Sequence, residues 1–309
     1  MEQVFSVHEF LEQVSALLSA QRVLVQGEIT RVDRRAGYTF FTLKDTKQEA
    51  ILSCFAWERR LSLTSFHLKE GQEIQVFGFP EIYVRTGRFN FHVEQILLVG
   101  EGALQKAFEA LKKQLEELGF FAPERKRALP RLIKRIGLIT SAQGDAQKDF
   151  FTHLGQHGFE IYFFNVKVEG MYAIEEIVKA LRYFNESSNP PEVLALIRGG
   201  GSLESLQAFN SEAVARAIFA SKIPVLTGIG HEKDFTIADF VADVRASTPT
   251  HSARILGDPW REAETELEHA SQTLAVALQH MARRTKDALD TASQTLDEQM
   301  AQYLARLKE

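Results

Sequence analysis

Between residues 131 and 256 the chain alternates short apolar runs with helical patterns, and this alternation limits the fold more than any other feature. The runs are residues 135–140, 160–168, 193–197 and 224–229, and the helical patterns are 145–156, 174–185, 203–220 and 235–244. Strict alternation of strand and helix implies a parallel sheet with helices packed on it. Ligands of such sheets collect beyond the carboxyl ends of the strands. Two glycine-punctuated loops fall there: Arg198-Gly199-Gly200-Gly201-Ser202, and Gly230-His231-Glu232-Lys233-Asp234.

The first loop suits an anion. Glycines let backbone N–H groups approach where a Cβ would block, and Arg198 adds a fixed positive fork. Gly199, Gly200, Gly201, Ser202 and Ser141 are therefore the candidate phosphate-binding residues, with Thr140 as a further hydroxyl neighbour. A glycine triplet alone also satisfies a tight strand-to-helix turn, so Arg198 decides the reading. No Walker sequence occurs and the glycines lack dinucleotide spacing, which removes support from ATP hydrolysis and hydride transfer and leaves a phosphodiester. In the second loop, three residues on a tight turn bring the Asp234 carboxylate toward His231. Such a partner orients an imidazole and raises its basicity, making it an acid or base near neutral pH. Asp149 follows the first run, where a positive helix end explains it as well as catalysis does. Asp149, Arg198, His231 and Asp234 form the candidate catalytic set. The carboxylates Asp145, Asp149, Glu232, Asp234, Asp239 and Asp243 also permit a metal-assisted mechanism, ranked second because Asp239 and Asp243 read equally as a solvated helix face.

Residues 1–102 read differently. A helical pattern at 4–18 precedes β-branched and aromatic runs at 23–32, 38–43, 50–57, 73–83 and 88–99. Five short strands with a helix match an OB-fold barrel, whose face and loops hold oligonucleotides. Most of its aromatic residues must fill the barrel, and exposed ones beside arginines offer stacking platforms for unpaired bases. Tyr38 and Tyr83 are the candidates, with Arg31, Arg35, Arg85 and Arg88 beside them. Residues 103–130 contain a connecting helix and a charged, proline-bounded linker at 123–130. The region 257–309 places Leu267, Leu274, Met281, Ala288, Thr295 and Gln302 at seven-residue steps, with Leu278, Leu289, Leu296, Tyr303 and Leu307 nearby, as in an imperfect coiled coil.

With 309 residues, two or three units are expected. The single cysteine, Cys54, lies in a strand-like run and excludes an internal disulfide, which suits a reducing compartment. No run approaches a membrane span and the start is acidic, so a cytoplasmic location is expected. The net charge of -5 argues against non-specific coating of nucleic acid while leaving room for a local basic groove.

Ordered motifs along nearly the whole chain resemble those of the exodeoxyribonuclease VII large-subunit family. They include Gly27-Glu28-Ile29, Phe40-Phe41-Thr42-Leu43-Lys44-Asp45, Gly100-Glu101-Gly102-Ala103-Leu104 and Pro123-Glu124-Arg125-Lys126-Arg127. Further on come Thr140-Ser141 with Gly144 and Asp149, Arg198 through Glu204, Ala208-Phe209-Asn210, Gly230-His231-Glu232 with Asp234, and Ala238 through Asp243. The resemblance implies a multidomain α and β fold: an N-terminal OB-fold β-barrel, a parallel α/β nuclease domain at 131–256, and a C-terminal long helix or coiled coil. It implies a single-stranded DNA substrate cut to oligonucleotides and several copies of a small helical subunit on the arm. It also implies hydrolysis without an obligatory divalent metal. Self-association of the chain is a further expectation. The family's catalytic residues fall on Asp149, Arg198, His231 and Asp234. Departures lie at Ala142 and Gln143, at Ser205 and Gln207 where the family tends to have an aspartate and a tryptophan, and across His251 to Arg254. The family's arm is usually longer, so the chain reads as shortened at Glu309.

Overall fold

The computed structural model describes residues 4–61, 66–202, 204–231 and 234–306, with side chains through residue 301. Leu203, Glu232, Lys233 and Leu307 lie outside the described residues, as do the side chains of Gln302 and Tyr303. The chain divides into two compact units, Met1–Gly257 and Asp258–Glu309.

Helix α1 (Val7–Ser19) opens on a capping box: Glu9 N–H donates to Ser6 Oγ at 3.2 Å while Ser6 N–H donates to Glu9 Oε2 at 2.8 Å. Strands β1 (Val23–Arg35), β2 (Tyr38–Lys44), β3 (Ile51–Trp57), β4 (Glu73–Tyr83) and β5 (Arg88–Leu98) follow, with one helical turn, α2 (Glu58–Leu61), after β3. They close into a barrel in the order β1-β2-β3-β5-β4, antiparallel except for β3 on β5. Alternation fills it: Ile29, Phe41, Leu43, Cys54, Ala56, Ile74, Val76, Phe91 and Val93 are buried. Breaks in register between Ile29 and Arg31 and between Phe77 and Gly78 bend the long strands enough to close. At the second break a Cβ on Gly78 would overlap the His92 carbonyl. Cys54 is a core residue whose thiol is pushed up by burial, which keeps it protonated.

Helix α3 (Glu101–Glu117) and a 3-10 turn at Pro123–Arg125 lead into the second half of the unit. There β6 (Arg135–Thr140), α4 (Asp145–Leu154), β7 (Glu160–Asn165), α5 (Ala173–Glu186), β8 (Val193–Arg198), a 3-10 stretch at Glu204–Asn210, α6 (Glu212–Phe219), β9 (Val225–Ile229), α7 (Ile237–Val241) and β10 (Val244–Ala246) alternate. All pairings are parallel and the order is β10-β9-β8-β6-β7. Counted from β6 this is the doubly wound order 2-1-3-4-5. Every β8 side chain is buried because both faces are covered. Val193, Ala195 and Ile197 meet Phe150 and Leu154 of α4, whereas Leu194 and Leu196 meet the cluster containing Ile177, Leu181, Phe209 and Ile218.

The structure differs from the sequence pattern in four places. The run at 160–168 is strand only to Asn165. The helical pattern at 203–220 breaks at Ser211, whose Oγ accepts from Val214 N–H at 3.3 Å and starts α6 as a new helix. The pattern at 235–244 contracts to α7, capped by Thr236, and its end becomes the edge strand β10. Finally, helix α8 (Pro249–Arg306) begins ahead of the region 257–309 and runs through Pro259. Thr248 Oγ1 accepts from His251 N–H at 3.1 Å, and Pro249 takes the first helical position, where its missing N–H is harmless. The first turns of α8 complete the sheet's core through Ala253 and Leu256.

Contacts among the described residues hold the barrel to the sheet. Gln207 is buried and grips the Leu98 backbone twice, donating from Nε2 to the carbonyl at 3.0 Å and accepting from the N–H at 3.3 Å. Arg60 pairs with Glu175, and the Phe77 ring meets Tyr172 edge-on at 6.0 Å. The charged linker is strapped down as well. Arg127 donates to Asp243 from its backbone at 2.8 Å and from Nε and Nη2 at 3.0 and 2.8 Å.

Along α8 beyond Gly257, Leu267, Leu274, Val276, Leu278, Met281, Leu289, Leu296 and Met300 are exposed. Among the described residues no helix is long and apolar enough to cross a membrane.

Gly257 brings α8 close against α4, since a Cβ there would overlap the Leu154 carbonyl. Gly257→Ala is expected to lower unfolding stability by about 1–3 kcal/mol through overpacking, read as a reduced urea midpoint with unchanged slope.

Candidate active site

The strand order reverses between β6 and β8: the chain leaves β6 toward β7, then crosses back and proceeds from β8 toward β10. Loops beyond the carboxyl ends of β6 and β8 therefore part and leave a crevice. Arg198, the last residue of β8, stands in it with a side chain only 5% exposed. Its Nη2 donates to Glu169 Oε2 at 3.2 Å, while Nη1 is buried and has no hydrogen-bond partner among the described residues. A buried guanidinium with a free N–H is costly unless an acceptor meets it. The Arg198 carbonyl accepts from Gly230 N–H at 3.3 Å and so ties the two glycine loops together.

The glycines make room for side chains. A Cβ on Gly201 would overlap the Arg198 guanidinium, and a Cβ on Gly200 would overlap the His231 ring. Gly199 faces open space. Gly230, at φ 72°, turns the chain so that His231 projects from the end of β9, exposed to solvent. Asp234 N–H donates to the His231 carbonyl at 3.0 Å and closes this turn. Among the described residues no hydrogen bond joins the Asp234 carboxylate to the His231 ring, so the two are linked through the backbone. The Arg245 guanidinium lies over the Phe235 ring at 3.7 Å and donates to the Asp234 carbonyl at 3.4 Å.

Arg198, Gly200, Gly201, His231 and Asp234 thus come together. Among the described residues no hydrogen bond joins Ser141, Ser202 or Asp149 to Arg198 or His231. Ser141 Oγ accepts from Gln143 N–H at 3.3 Å, in a turn that Asn165 at the end of β7 holds through Ala142 N–H at 2.8 Å. Ser202 is exposed, and its carbonyl accepts from Ser205 Oγ at 2.7 Å. Asp149 is exposed on the second turn of α4, and its carbonyl meets His153 Nδ1 at 2.9 Å.

Asp239 and Asp243 are not a solvated face. Asp243 is the 4%-exposed anchor of Arg127, and it also accepts from Val225 N–H at 2.7 Å. Asp239 is buried and accepts from Thr236 N–H at 2.9 Å and Thr236 Oγ1 at 2.8 Å. Burial pushes its carboxyl upward against these bonds and against the charge of Arg245. Among the described residues no three His, Cys, Asp or Glu side chains gather as a metal site. Glu169 is the crevice residue that sequence reasoning missed. It follows the second apolar run without any motif, and only its place beyond a strand end near the reversal marks it.

On the barrel, register puts Arg31, Asp33 and Arg35 opposite Thr42, Phe40 and Tyr38, which in turn lie opposite Ser53, Phe55 and Trp57. Thr39, Phe41, Cys54 and Ala56 between them are buried, so this set covers the outer face. Ring centroids run Tyr38 to Phe55 at 5.7 Å, Phe55 to Trp57 at 5.0 Å, Phe55 to His92 at 5.3 Å and His92 to Phe79 at 4.8 Å. Arg35 lies 5.9 Å from the Phe40 ring and Arg22 5.1 Å from that of Phe79. Trp57, 50% exposed, borders a cleft of about 390 Å³ with Arg59, Arg60, His92 and Glu94. Tyr38 belongs to this row. Tyr83 stands instead at the tip of the β4–β5 hairpin, paired with Arg88 and followed by Arg85.

A family model described as "Exonuclease VII, large subunit" matches residues 120–309, and one described as "OB-fold nucleic acid binding domain" matches residues 5–97. The chain belongs to the exonuclease VII large-subunit family. Proteins named "Exodeoxyribonuclease 7 large subunit" from Thiobacillus denitrificans and Nautilia profundicola are 39% identical over 308 residues and 35% over 293. These alignments cover 98% and 92% of this chain and 65% of each relative. The chain thus spans about two thirds of the length of the curated relatives it matches. A solved structure titled "Dimeric structure of the N-terminal domain of PriB protein from Thermoanaerobacter tencongensis solved ab initio" aligns over 26% of this chain and 99% of that one, at 18% identity and a TM-score of 0.23. In this exonuclease VII large-subunit chain the family match contains the whole crevice, and the OB-fold match contains the aromatic row.

The raised Asp239 carboxyl has a pH consequence. A carboxyl whose folded pKa exceeds its unfolded value contributes stability that is fully present below the unfolded pKa and lost as pH rises through the folded one. Relative to Asp239→Asn, the wild type should therefore gain stability on acidification from about pH 7 toward about pH 4. Urea unfolding of both proteins across that window checks the sign.

Proposed function

We propose that this chain hydrolyses phosphodiester bonds of single-stranded DNA to oligonucleotides, holding the strand on the barrel's outer face and cutting it in the Arg198 crevice. The observation that carries this reading is the buried Arg198 guanidinium, whose Nη1 has no partner among the described residues and whose glycine loop lies against an exposed imidazole. Non-bridging phosphate oxygens complement that N–H and gain negative character as the bond breaks, so the fork stabilises the transition state. His231, free to reach solvent, moves the proton to or from the attacking water or leaving oxygen. Asp234 positions His231 through the turn it closes. Ser141 and Ser202, in the loops after β6 and β8, and Asp149 on α4 complete the set. The charge that a divalent ion supplies in two-metal nucleases is here attributed to Arg198, so no metal is required.

The strand lies across Tyr38, Phe55 and Trp57, with Arg31 and Arg35 on its phosphates and Tyr83, Arg85 and Arg88 as a second contact at the hairpin tip. Stacking needs an open base face, which a duplex hides. The α8 arm, with its exposed leucines, is the seat of several copies of a small subunit and of self-association between copies of this chain.

Initial rates on end-labelled single strands in chelator test the chemistry. His231→Ala should lose about 100- to 10,000-fold and Arg198→Ala about 100- to 1,000-fold, both with native circular dichroism. Trp57→Ala should weaken single-strand binding by about 1–3 kcal/mol without changing duplex binding. Loss of wild-type activity in chelator, restored by magnesium, would establish a metal-dependent nuclease, and binding without cleavage would establish a scaffold.

The arm is tested separately. Leu274→Asp with Met281→Asp should abolish mass gain by light scattering, with and without the small subunit, while the Met1–Gly257 unit stays folded. Unchanged mass in both settings would make the stripe a plain surface helix.

A further inference from the structure

The carboxylate that holds Arg198 is unlike its partner. Glu169 has a side chain 63% exposed, against 5% for Arg198, and reaches the guanidinium through one 3.2 Å contact. A solvated carboxylate held by one contact is screened by water and easily displaced, whereas the buried arginine is fixed. Glu169 lies in loop 166–172 between β7 and α5. Lys167 N–H donates to Glu176 Oε2 at 2.6 Å at the base of this loop, and Gly170, at φ 77°, makes its turn. Three residues beyond Glu169, Tyr172 packs edge-on against Phe77, which faces outward on β4 beside the end of the aromatic row at Phe79. The loop therefore spans from the barrel's outer face to the guanidinium.

We propose that Glu169 is a specificity residue: a resident carboxylate that competes with phosphate for Arg198 and expels short products while admitting strands anchored on the barrel. This deepens the proposed function and rests on its reading of Arg198 as the phosphate-binding residue. The competition handicaps every anion at Arg198 by the same factor. A strand already stacked on the barrel meets Arg198 at an effective concentration near millimolar and overcomes that handicap. A fragment of a few nucleotides meets it at bulk concentration and leaves. Because Glu169 acts through Arg198 and anchored strands overcome the handicap, its effect shows on short ligands and on product release.

The test uses binding and inhibition on the full chain. Inorganic phosphate and a phosphorothioate oligothymidylate of about four nucleotides are titrated against wild type, Glu169→Gln and Glu169→Ala. Both variants should bind both probes about fivefold more tightly, and the short oligonucleotide should inhibit cleavage of a long strand about fivefold more strongly. In an Arg198→Gln background the same Glu169 substitution should give no gain, which locates the effect at the pair. Unchanged or weaker binding of both probes in both Glu169 variants would overturn the proposal and leave Glu169 as a prop for Arg198. Tighter phosphate binding in a chain that cleaves no DNA would uphold the competition and sink the nuclease reading. Cleavage by a wild type whose Glu169 variants gain nothing would do the reverse.

Discussion

A guanidinium buried at the end of the central strand is the constraint from which the rest of this site follows. Removing Arg198 from water is tolerable only if its N–H groups meet acceptors, and those of Nη1 have none among the described residues. The surrounding chain is shaped to hold the fork in place. Gly201 clears its face, Gly200 clears the adjacent imidazole, and the Arg198 carbonyl binds the second loop through Gly230. The doubly wound order supplies the opening, because only where connections diverge does a buried strand end look into a crevice. The arginine and the topology are two parts of one arrangement.

Arg198 and His231 were legible in the sequence because a glycine loop directly after an apolar run has few meanings. The reason for the glycines was not legible. Backbone approach to an anion and clearance for a neighbouring side chain demand the same residue, and Gly200 and Gly201 serve the second purpose in the geometry. Asp239 and Asp243 looked like one polar helix face because spacing records periodicity and not partners. Their partners, Thr236 and Arg127, lie on a cap and on a distant linker. Strand β10 was hidden for a related reason. Three residues at a sheet edge carry too short a pattern to separate from the helix before them. The onset of α8 lies ahead of the arm at 257–309 because its cap, Thr248 with Pro249, falls inside the stretch that the strand and helix alternation claims for the sheet domain.

In the barrel, alternation alone predicts that half the aromatics face out, but it cannot say which half without the register. Thr39 and Phe41 point inward, and that fixes Tyr38 and Phe40 as outward. Cross-strand pairing then carries the row through Phe55 and Trp57 to His92 and Phe79. Tyr83 lies on the same strand parity as Phe79 yet sits at the hairpin tip, apart from the row. A single exposed tyrosine and a continuous aromatic face look alike in sequence, and only the second gives several bases successive places to stack.

On the proposed function the two halves of the first unit discriminate by different physics. The barrel's arginines stand in solvent: Arg35 is 56% exposed in its pair with Asp33, so its attraction for phosphate is screened by salt. Stacking is indifferent to salt but demands an unpaired base. The crevice arginine, at 5% exposure, acts in a medium where charge is little screened, and it is indifferent to the base. The barrel therefore sets which strand is captured, and the crevice sets what is done to any phosphate delivered there. Gln207, clamping Leu98 from the far side of the junction, keeps the two at a fixed separation. Fixed separation is what allows an anchored strand, and not a free fragment, to present its phosphate to Arg198 at high local concentration.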